Sequence, residues 1–361
     1  MKTKGQGVGG RGSKRANLAF LALRLLIALA LSPLCWSQSA PPPASPNQRE
    51  VAAAQQELAT AKSLSDSGKV DEALVVLRKL ENAKSDLPGL NSELGKALYR
   101  KEEYGQAVPY FRQAIDENSG DKESVQLLGL SLFRIGKPAE AIPLLKQVTS
   151  WYPAANVDAS YVLGLCYIQV QNYSQARQAF AAMYGVPPES AASHLILARM
   201  LLRQGFDPIA EENARQAIAL DPKLPLAHYL LGEFHLFKSD IPQAIAEFEK
   251  EIELNPGFAG VYDRMGDAYT HLEKFDDAQR MLQRSVALDP NSTGPFILLG
   301  KVMLKKNDPK SAAMYLERAA KMDPNNYMTH HLLGQAYRSL GQENDAAREF
   351  KLAEQLQKRT E

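Results

Sequence analysis

The sequence predicts an all-α fold, a solenoid of tandem helix–turn–helix units, because one set of features returns at one spacing. A short phrase ending in Asp-Pro or Asn-Pro recurs every 34 residues, at Ala219–Pro222, Glu253–Pro256, Ala287–Pro290 and Lys321–Pro324. Proline disfavours the α conformation in the residue before it and cannot continue a helix, so each phrase predicts a helix end. A helix end that returns at a fixed spacing indicates an internal repeat.

Each repeat also has a small residue, called here the anchor, within its first predicted helix. The anchors are Gly95, Gly129, Gly164, Ala198, Gly232, Gly266, Gly300 and Gly334. An alanine follows twelve residues after each of them, at Ala107, Ala141, Ala176, Ala210, Ala244, Ala278, Ala312 and Ala346. Small side chains let two helix axes approach, and larger ones fill the space around the crossing. Leu or Met before each anchor, and Phe or Leu sixteen residues after most of them, fit the second role.

These Leu-Gly, Ala, Phe and Pro positions at a 34-residue period resemble the tetratricopeptide repeat (TPR) family. The resemblance covers about Ala54 to Glu361, as repeats that start near residues 54, 88, 122, 157, 191, 225, 259, 293 and 327. It implies a right-handed α-solenoid superhelix whose first helices line a concave face. The first repeat lacks the Gly and Pro positions, and the fifth has Ala198 and Ala214 where Gly and Phe are usual.

Residues 1–40 have the features of a secretory signal peptide. A basic segment precedes the apolar run Leu18–Leu31, and small residues in Ser32–Ala40 offer a cleavage site. Residues 41–53 are expected to form a proline-rich linker and the start of the first helix. The alternative is an uncleaved membrane anchor, but the apolar run has 14 residues and contains Arg24, against about 20 residues for a spanning helix. We therefore expect a periplasmic or secreted protein, with membrane association only if the segment stays uncleaved.

The charge balance argues against a nucleic-acid partner. The whole chain has 42 Lys and Arg and 41 Asp and Glu, a formal net charge of +1. The first 40 residues contain six of the basic residues and no acidic one, so the remainder has 36 basic and 41 acidic residues. A net negative protein is repelled by a phosphate backbone.

The sequence has none of the motifs that usually accompany catalysis. It contains no Walker loop, no G-x-S-x-G, no H-E-x-x-H and no C-x-x-C. Cys35 lies in the segment expected to be removed, and Cys166 is expected to be a buried thiol, so no disulfide framework is predicted. We expect no enzymatic activity, no cofactor and no small-molecule substrate.

The histidines are expected to be packing residues. His194, His228 and His330 share the position four residues before the anchor, where sister repeats have Tyr262 and Phe296. The pair formed by His330 and its neighbour is not expected to bind a metal, because adjacent residues on a helix point about 100° apart and no Cys or acidic residue stands at ligand spacing.

The TPR resemblance implies that partners bind to the first helices. Counting from the anchor, the positions three and two before it and one and five after it are expected to face the groove. The candidate partner-binding residues are Lys96, Arg100, Arg134, Tyr161, Arg199, Arg203, Tyr229, Glu233, Phe237, Asp263, Asp267, Lys301 and Lys305. They predict a groove that is basic at its front, apolar and aromatic in its middle, then acidic, then basic. Arg199 and Arg203 beside the apolar middle form the best candidate, since Tyr and Arg often dominate binding energy.

These observations predict an exported, non-catalytic scaffold that binds an extended peptide or a helix of a partner protein, with assembly of the cell envelope as the expected setting. One alternative is a membrane-tethered assembly or secretion factor. Another is a non-catalytic subunit of a machine that processes polysaccharide or peptides. Aliphatic residues at the groove positions have a second interpretation, because they would also pack neighbouring first helices together.

Overall fold

The computed structural model describes residues 46–83, 87–151, 157–205 and 208–360, and within these ranges the chain forms eighteen α-helices and no strand. The helices are α1 (Pro46–Asp66), α2 (Val70–Asn82), α3 (Leu90–Arg100), α4 (Tyr104–Glu117), α5 (Lys122–Arg134), α6 (Pro138–Trp151), α7 (Val157–Gln169), α8 (Tyr173–Tyr184), α9 (Ala191–Leu202), α10 (Pro208–Leu220), α11 (Ala227–Phe237), α12 (Ile241–Leu254), α13 (Ala259–His271), α14 (Phe275–Leu288), α15 (Thr293–Lys305), α16 (Pro309–Met322), α17 (Tyr327–Ser339) and α18 (Glu343–Thr360). Odd-numbered helices are called first helices here, and even-numbered ones second helices. The predicted all-α solenoid of helical pairs is confirmed.

The chain divides into two units, Met1–Ala53 and Ala54–Glu361. Of the first unit, the described residues comprise only the start of α1. The predicted signal peptide, and the part of the predicted linker before α1, lie outside the described residues and stay predictions. Among the helices that are described, none is both long enough and apolar enough to span a bilayer.

The anchors explain how the two helices of a pair approach each other. A Cβ atom built on Gly95 would lie 2.7 Å from the ring of Phe111, and one on Gly266 would lie 2.5 Å from Leu282. The residue in contact is in both cases the one sixteen positions after the anchor. Each of these crossings is therefore a matched pair of a small and a large residue, as the spacing predicted, whereas the fifth repeat pairs Ala198 with Ala214.

Successive pairs pack on one another in chain order. Each second helix contacts the first helix that follows it, and some neighbouring first helices also touch, as α3 does with α5 and α13 with α15. The residues at these contacts are apolar and buried, including Leu98, Leu132 and Phe234. Because each pair contacts mainly its neighbours, the stability of such an array is close to a sum of local terms.

The turn between the first and second helix of each pair contains a residue with positive φ. It stands seven positions after the anchor, and its φ lies between 56° and 115°. The residues are Gly68, Glu102, Gly136, Gln171, Gly205, Ser239, Glu273, Asn307 and Gly341. This conformation costs a residue with a Cβ atom roughly 1–2 kcal/mol, so the non-glycine turns are strained.

Replacing Glu273 by glycine is expected to raise the free energy of unfolding by about 0.5–1 kcal/mol. Its φ is 58° and its side chain is exposed, so glycine relieves the strain and removes no buried surface. Urea denaturation followed by circular dichroism measures the change. Glu273→Ala is the control, because alanine keeps the Cβ atom and should give no gain. A glycine variant no more stable than the alanine variant would contradict this interpretation.

Candidate partner-binding surface

The candidate residues all lie on first helices or at their ends. Lys96 and Arg100 are on α3, and residues 134 and 161 are on α5 and α7. The arginine pair at 199 and 203 lies on α9 and its C-cap, and the remaining candidates are on α11, α13 and α15. We call the surface formed by these helices the first-helix surface. The structure distinguishes candidates that are engaged within the chain from candidates that are not.

The two basic residues at the front are engaged in ion pairs. The Lys96 ammonium lies 3.1 Å from a Glu93 oxygen and 2.7 Å from a Glu123 oxygen, and its side chain is only 13% exposed. Burial disfavours the charged form of Lys96, but the two carboxylates stabilise that form more strongly, so the pKa of Lys96 is raised. Arg100 lies 2.8 Å from Asp66. These contacts join α3 to α5 and to α1, so the basic front stabilises the stacking of first helices.

Arg134 and Tyr161 are also in contact with their own chain. The Arg134 guanidinium lies over the Tyr104 ring, 5.8 Å from its centroid. Tyr161 is half-buried, and its ring centroid is 6.1 Å from that of Phe180. Both candidates therefore have a structural role at a helix crossing.

Tyr229 and Glu233 belong to a cluster that joins α11 to α13. The Tyr229 ring packs edge-on against Phe258 at 5.0 Å between centroids. Glu233 accepts from the Arg264 guanidinium at 2.7 Å. The pKa of Arg264 is raised, because contacts with Tyr229 and Glu233 outweigh the effect of burial. The start of α11 is fixed by the buried Glu251 carboxylate, which accepts from the Tyr229 backbone N–H at 3.3 Å.

Asp263 is the least satisfied group of this cluster. Its Oδ1 atom is buried and has no hydrogen-bond partner among the described residues. Burial raises the pKa of Asp263 to about 6, and the charges of Asp267 and Glu233 add to that effect against the opposing charge of Arg264. Asp267 lies 3.7 Å from the His271 imidazole. We call Glu233, Asp263 and Asp267 the acidic band.

The arginine pair of α9 has a different environment. Arg199 and Arg203 are exposed, and neither has an ion-pair partner among the described residues. They border a hollow of about 260 Å³ that is also lined by Tyr184, Ile196 and Met200. Tyr184 comes from the end of α8 and is 53% exposed. The sequence pattern did not indicate this residue, because it lies on a second helix outside the repeating positions.

Three further candidates remain accessible. Lys301 and Lys305 occupy the same positions as Arg199 and Arg203 relative to their anchor, and in the described part of the chain they have no ion-pair partner. Phe237, at the end of α11, is 64% exposed. In chain order, the surface thus presents a basic pair, the acidic band and a second basic pair, and neither basic pair has an ion-pair partner among the described residues.

The three histidines that share one position each have a polar partner nineteen residues later. The Nδ1 atoms of His194, His228 and His330 lie 2.8, 2.6 and 2.7 Å from acceptors. The partners are Asn213, Glu247 and Glu349. A polar residue at that second position was the available signal, since sister repeats with Tyr262 and Phe296 have Met281 and Tyr315 there. Within the described residues, no three His, Cys, Asp or Glu side chains cluster in a way that could hold a metal.

Cys166 is completely buried. Burial raises the pKa of its thiol to about 12, so the thiol is protonated at neutral pH. The thiolate is the reactive form of cysteine, so this residue is placed as a packing group.

The fold and the first-helix surface define a helical repeat protein. Tetratricopeptide repeat models match residues 58–122, 161–206 and 297–358 in one case and 259–292 in another. A model for subunit 3 of the anaphase-promoting complex, or cyclosome, matches residues 100–183. These matches cover more than half of the chain, which belongs to the tetratricopeptide repeat family. No curated protein matches it in sequence.

Several solved structures are similar to the chain. MamA from Desulfovibrio magneticus RS-1 is 20% identical, with a TM-score of 0.43 over 46% of this chain and 95% of that one. The anaphase-promoting complex hetero-tetramer Cut9-Hcn1 is 20% identical, with a TM-score of 0.44 over 78% of this chain and 55% of that one. PilF of Pseudomonas aeruginosa is 22% identical, with a TM-score of 0.45 over 54% of this chain and 88% of that one.

Proposed function

We propose that this chain is a non-catalytic scaffold that binds partner proteins on its first-helix surface. The observation that carries the proposal is the arginine pair of α9, which is exposed beside an apolar hollow while Lys96 and Arg100 are engaged in ion pairs. Charged groups that have no partner within the chain are available to a ligand. Arg is also among the residues that contribute most to protein interfaces.

The proposal includes the place where the protein acts. A basic segment followed by the apolar run at residues 18–31 supports export to the periplasm or the outside of the cell. There the scaffold would hold components of the cell envelope together. Neither a nucleic acid nor a small-molecule substrate is part of the proposal.

Photo-crosslinking in cells tests binding on the first-helix surface. The crosslinker p-benzoylphenylalanine is placed at Phe237, an exposed aromatic residue of α11, and in a second variant at Val75 of α2, which is 70% exposed. Crosslinked proteins are then identified by mass spectrometry. We expect a specific protein to be crosslinked at Phe237 and not at Val75. Crosslinks at Val75 alone, or at neither position, would refute the proposal.

Amino-terminal sequencing of the protein recovered from cells tests export. We expect a mature chain that starts near Gln38 or Pro41 and is found in the periplasmic or secreted fraction. A chain that retains residues 18–31 and sediments with membranes would instead support the tethered alternative. A full-length chain in the cytoplasm would exclude both.

A further inference from the structure

The positions one and five after the anchor are both basic in three repeats. The pairs are Lys96 with Arg100, Arg199 with Arg203, and Lys301 with Lys305. Residues four apart on a helix lie on the same face, with Cβ atoms about 5–6 Å apart, so the members of each pair act together. The first pair is neutralised by ion pairs inside the chain, whereas the pair at 199 and 203 has no ion-pair partner among the described residues. The arginine pair is therefore suited to an external anion.

The hollow beside the arginine pair selects among anions. Tyr184, Ile196 and Met200 line it with apolar atoms and one ring. A Met side chain adapts to different shapes, and such a hollow binds an aliphatic or aromatic side chain. Guanidinium groups match carboxylates in geometry, with two parallel hydrogen bonds. A ligand that uses both features has a carboxylate next to an apolar side chain, as a peptide has.

The acidic band further along the same surface excludes a long polyanion. Glu233, Asp263 and Asp267 follow on α11 and α13, and among the described residues Arg264 is paired with the first of them at 2.7 Å. A phosphate backbone that continued from α9 over these helices would meet like charge. A peptide with basic residues at that point would meet opposite charge.

The helix spacing sets the distance between the two charges of such a peptide. Packed helices have axes about 8–10 Å apart. Helix α11 contacts α13, and α9 is joined to α11 mainly through α10, so α13 lies at least about 20 Å from α9 along the first-helix surface. An extended chain rises about 3.3 Å per residue, which makes this distance equal to about six residues.

We propose that helices α9 to α13 bind a charge-patterned segment of a partner protein. An apolar residue next to carboxylates occupies the hollow and contacts Arg199 and Arg203. Basic residues about six positions away contact Asp267, since Glu233 is already paired with Arg264. This proposal rests on the proposed function and names the class of partner.

The test uses the full chain and a synthetic fluorescent peptide, GDLEGSGSGKKG, in an anisotropy titration at low and at physiological salt. In three control peptides, amides replace the acids, glycine replaces the leucine, or glycine replaces the two lysines. We expect the parent peptide to bind and each control to bind at least about tenfold more weakly, equal to about 1.4 kcal/mol. Equal binding of the amide control, or no binding of the parent peptide, would overturn the proposal.

The chain offers a matched control for the protein side. Arg199→Ala/Arg203→Ala is expected to weaken binding of the parent peptide at least tenfold. Lys321→Ala/Lys351→Ala removes the same charge from exposed positions on the second helices α16 and α18 and is expected to change binding less than twofold. Equal losses in both variants would mean that net charge, not the arginine site, determines binding. Circular dichroism confirms that both variants are folded.

Two further measurements separate the possible outcomes. Tyr184→Ala is expected to reduce binding of the parent peptide and to leave the glycine-for-leucine control unchanged, because only the parent uses the hollow. A uridine oligonucleotide that competes as well as the parent peptide would show a general polyanion site and refute the proposal. Failure of the peptide experiments with a persistent crosslink at Phe237 would reject this ligand class and leave the proposed function in place.

Discussion

Replacing Phe248 by alanine is expected to lower the free energy of unfolding by about 3–5 kcal/mol, the range found for buried phenylalanines. The side chain is completely buried, and its ring lies against Gly232 where α11 crosses α12. Truncation removes the apolar area of the ring and leaves a cavity at a crossing whose backbones are held by neighbouring pairs. Urea denaturation followed by circular dichroism measures the loss.

A second substitution at the same crossing shows whether size matching is the cause. Gly232→Ala alone is expected to cost about 1–3 kcal/mol, because the new Cβ atom would overlap the Phe248 ring. In the double variant the methyl group enters space that the ring has left, so the combined loss is expected to be smaller than the sum of the single losses. The fifth repeat has this combination, Ala198 with Ala214, and both residues are completely buried. Additive losses would contradict size matching.

Replacing Asp263 by asparagine is expected to stabilise the protein at neutral pH by about 1–3 kcal/mol. The pKa of this carboxyl is about 6 in the folded protein, against an ordinary value of 3.8. A raised carboxyl pKa means that the folded state holds the proton more tightly than the unfolded state. Stability therefore falls as pH rises from about 4 to about 6, and the deficit persists above that range. Removing the charge removes the deficit.

The pH dependence of the stability gained by Asp263→Asn shows whether the gain comes from removing a charge or from a change in packing. We expect the advantage of Asp263→Asn to be present at pH 7 and to shrink to near zero below about pH 4. The control is Asp267→Asn, one turn further along α13. It removes a like charge near Asp263 and so should shift the pH-dependent step towards lower pH without abolishing it. A gain from Asp263→Asn that is the same at pH 4 and pH 7 would contradict the electrostatic explanation.

The fold was predictable because close helix crossings restrict residue size at single positions. Gly232 and Phe248 have to match in size, and this restriction remains visible in the sequence at every period. The positive φ seven residues after the anchor left a weaker signal, because some turns have glycine there while Glu273 and Gln171 adopt the same conformation with strain. Backbone strain of this kind depends on the two helices that the turn joins.

The sequence indicated on which helices the candidate residues lie, but not which of them are already in contact with other residues of the chain. The repeat frame placed Lys96 and Arg199 at equivalent positions, and the sequence favoured Arg199 only because apolar groove positions lie beside it. Glu93 lies one turn before Lys96 on the same helix, but only the fold brings Glu123 of α5 to Lys96. Tyr184 was not indicated either, because it is brought to the arginine pair by the packing of α8 on α9. Contacts across elements decide which charges remain for a partner.

Because each helical pair stacks on its nearest neighbours, distances along the first-helix surface increase in steps, one for each repeat. The distance from the arginine pair of α9 to Lys301 and Lys305 on α15 is set by the number of helical pairs between them, and not by loop conformation. Deleting residues 259–292, one period, would join α12 to α15 through equivalent positions. It would also shorten the distance between the two basic pairs by the length of one repeat. Two members of the acidic band, Asp263 and Asp267, would be removed. A family of such proteins could therefore change the length of the segment it recognises in whole steps, by gaining or losing a repeat, while every remaining helix crossing stays the same.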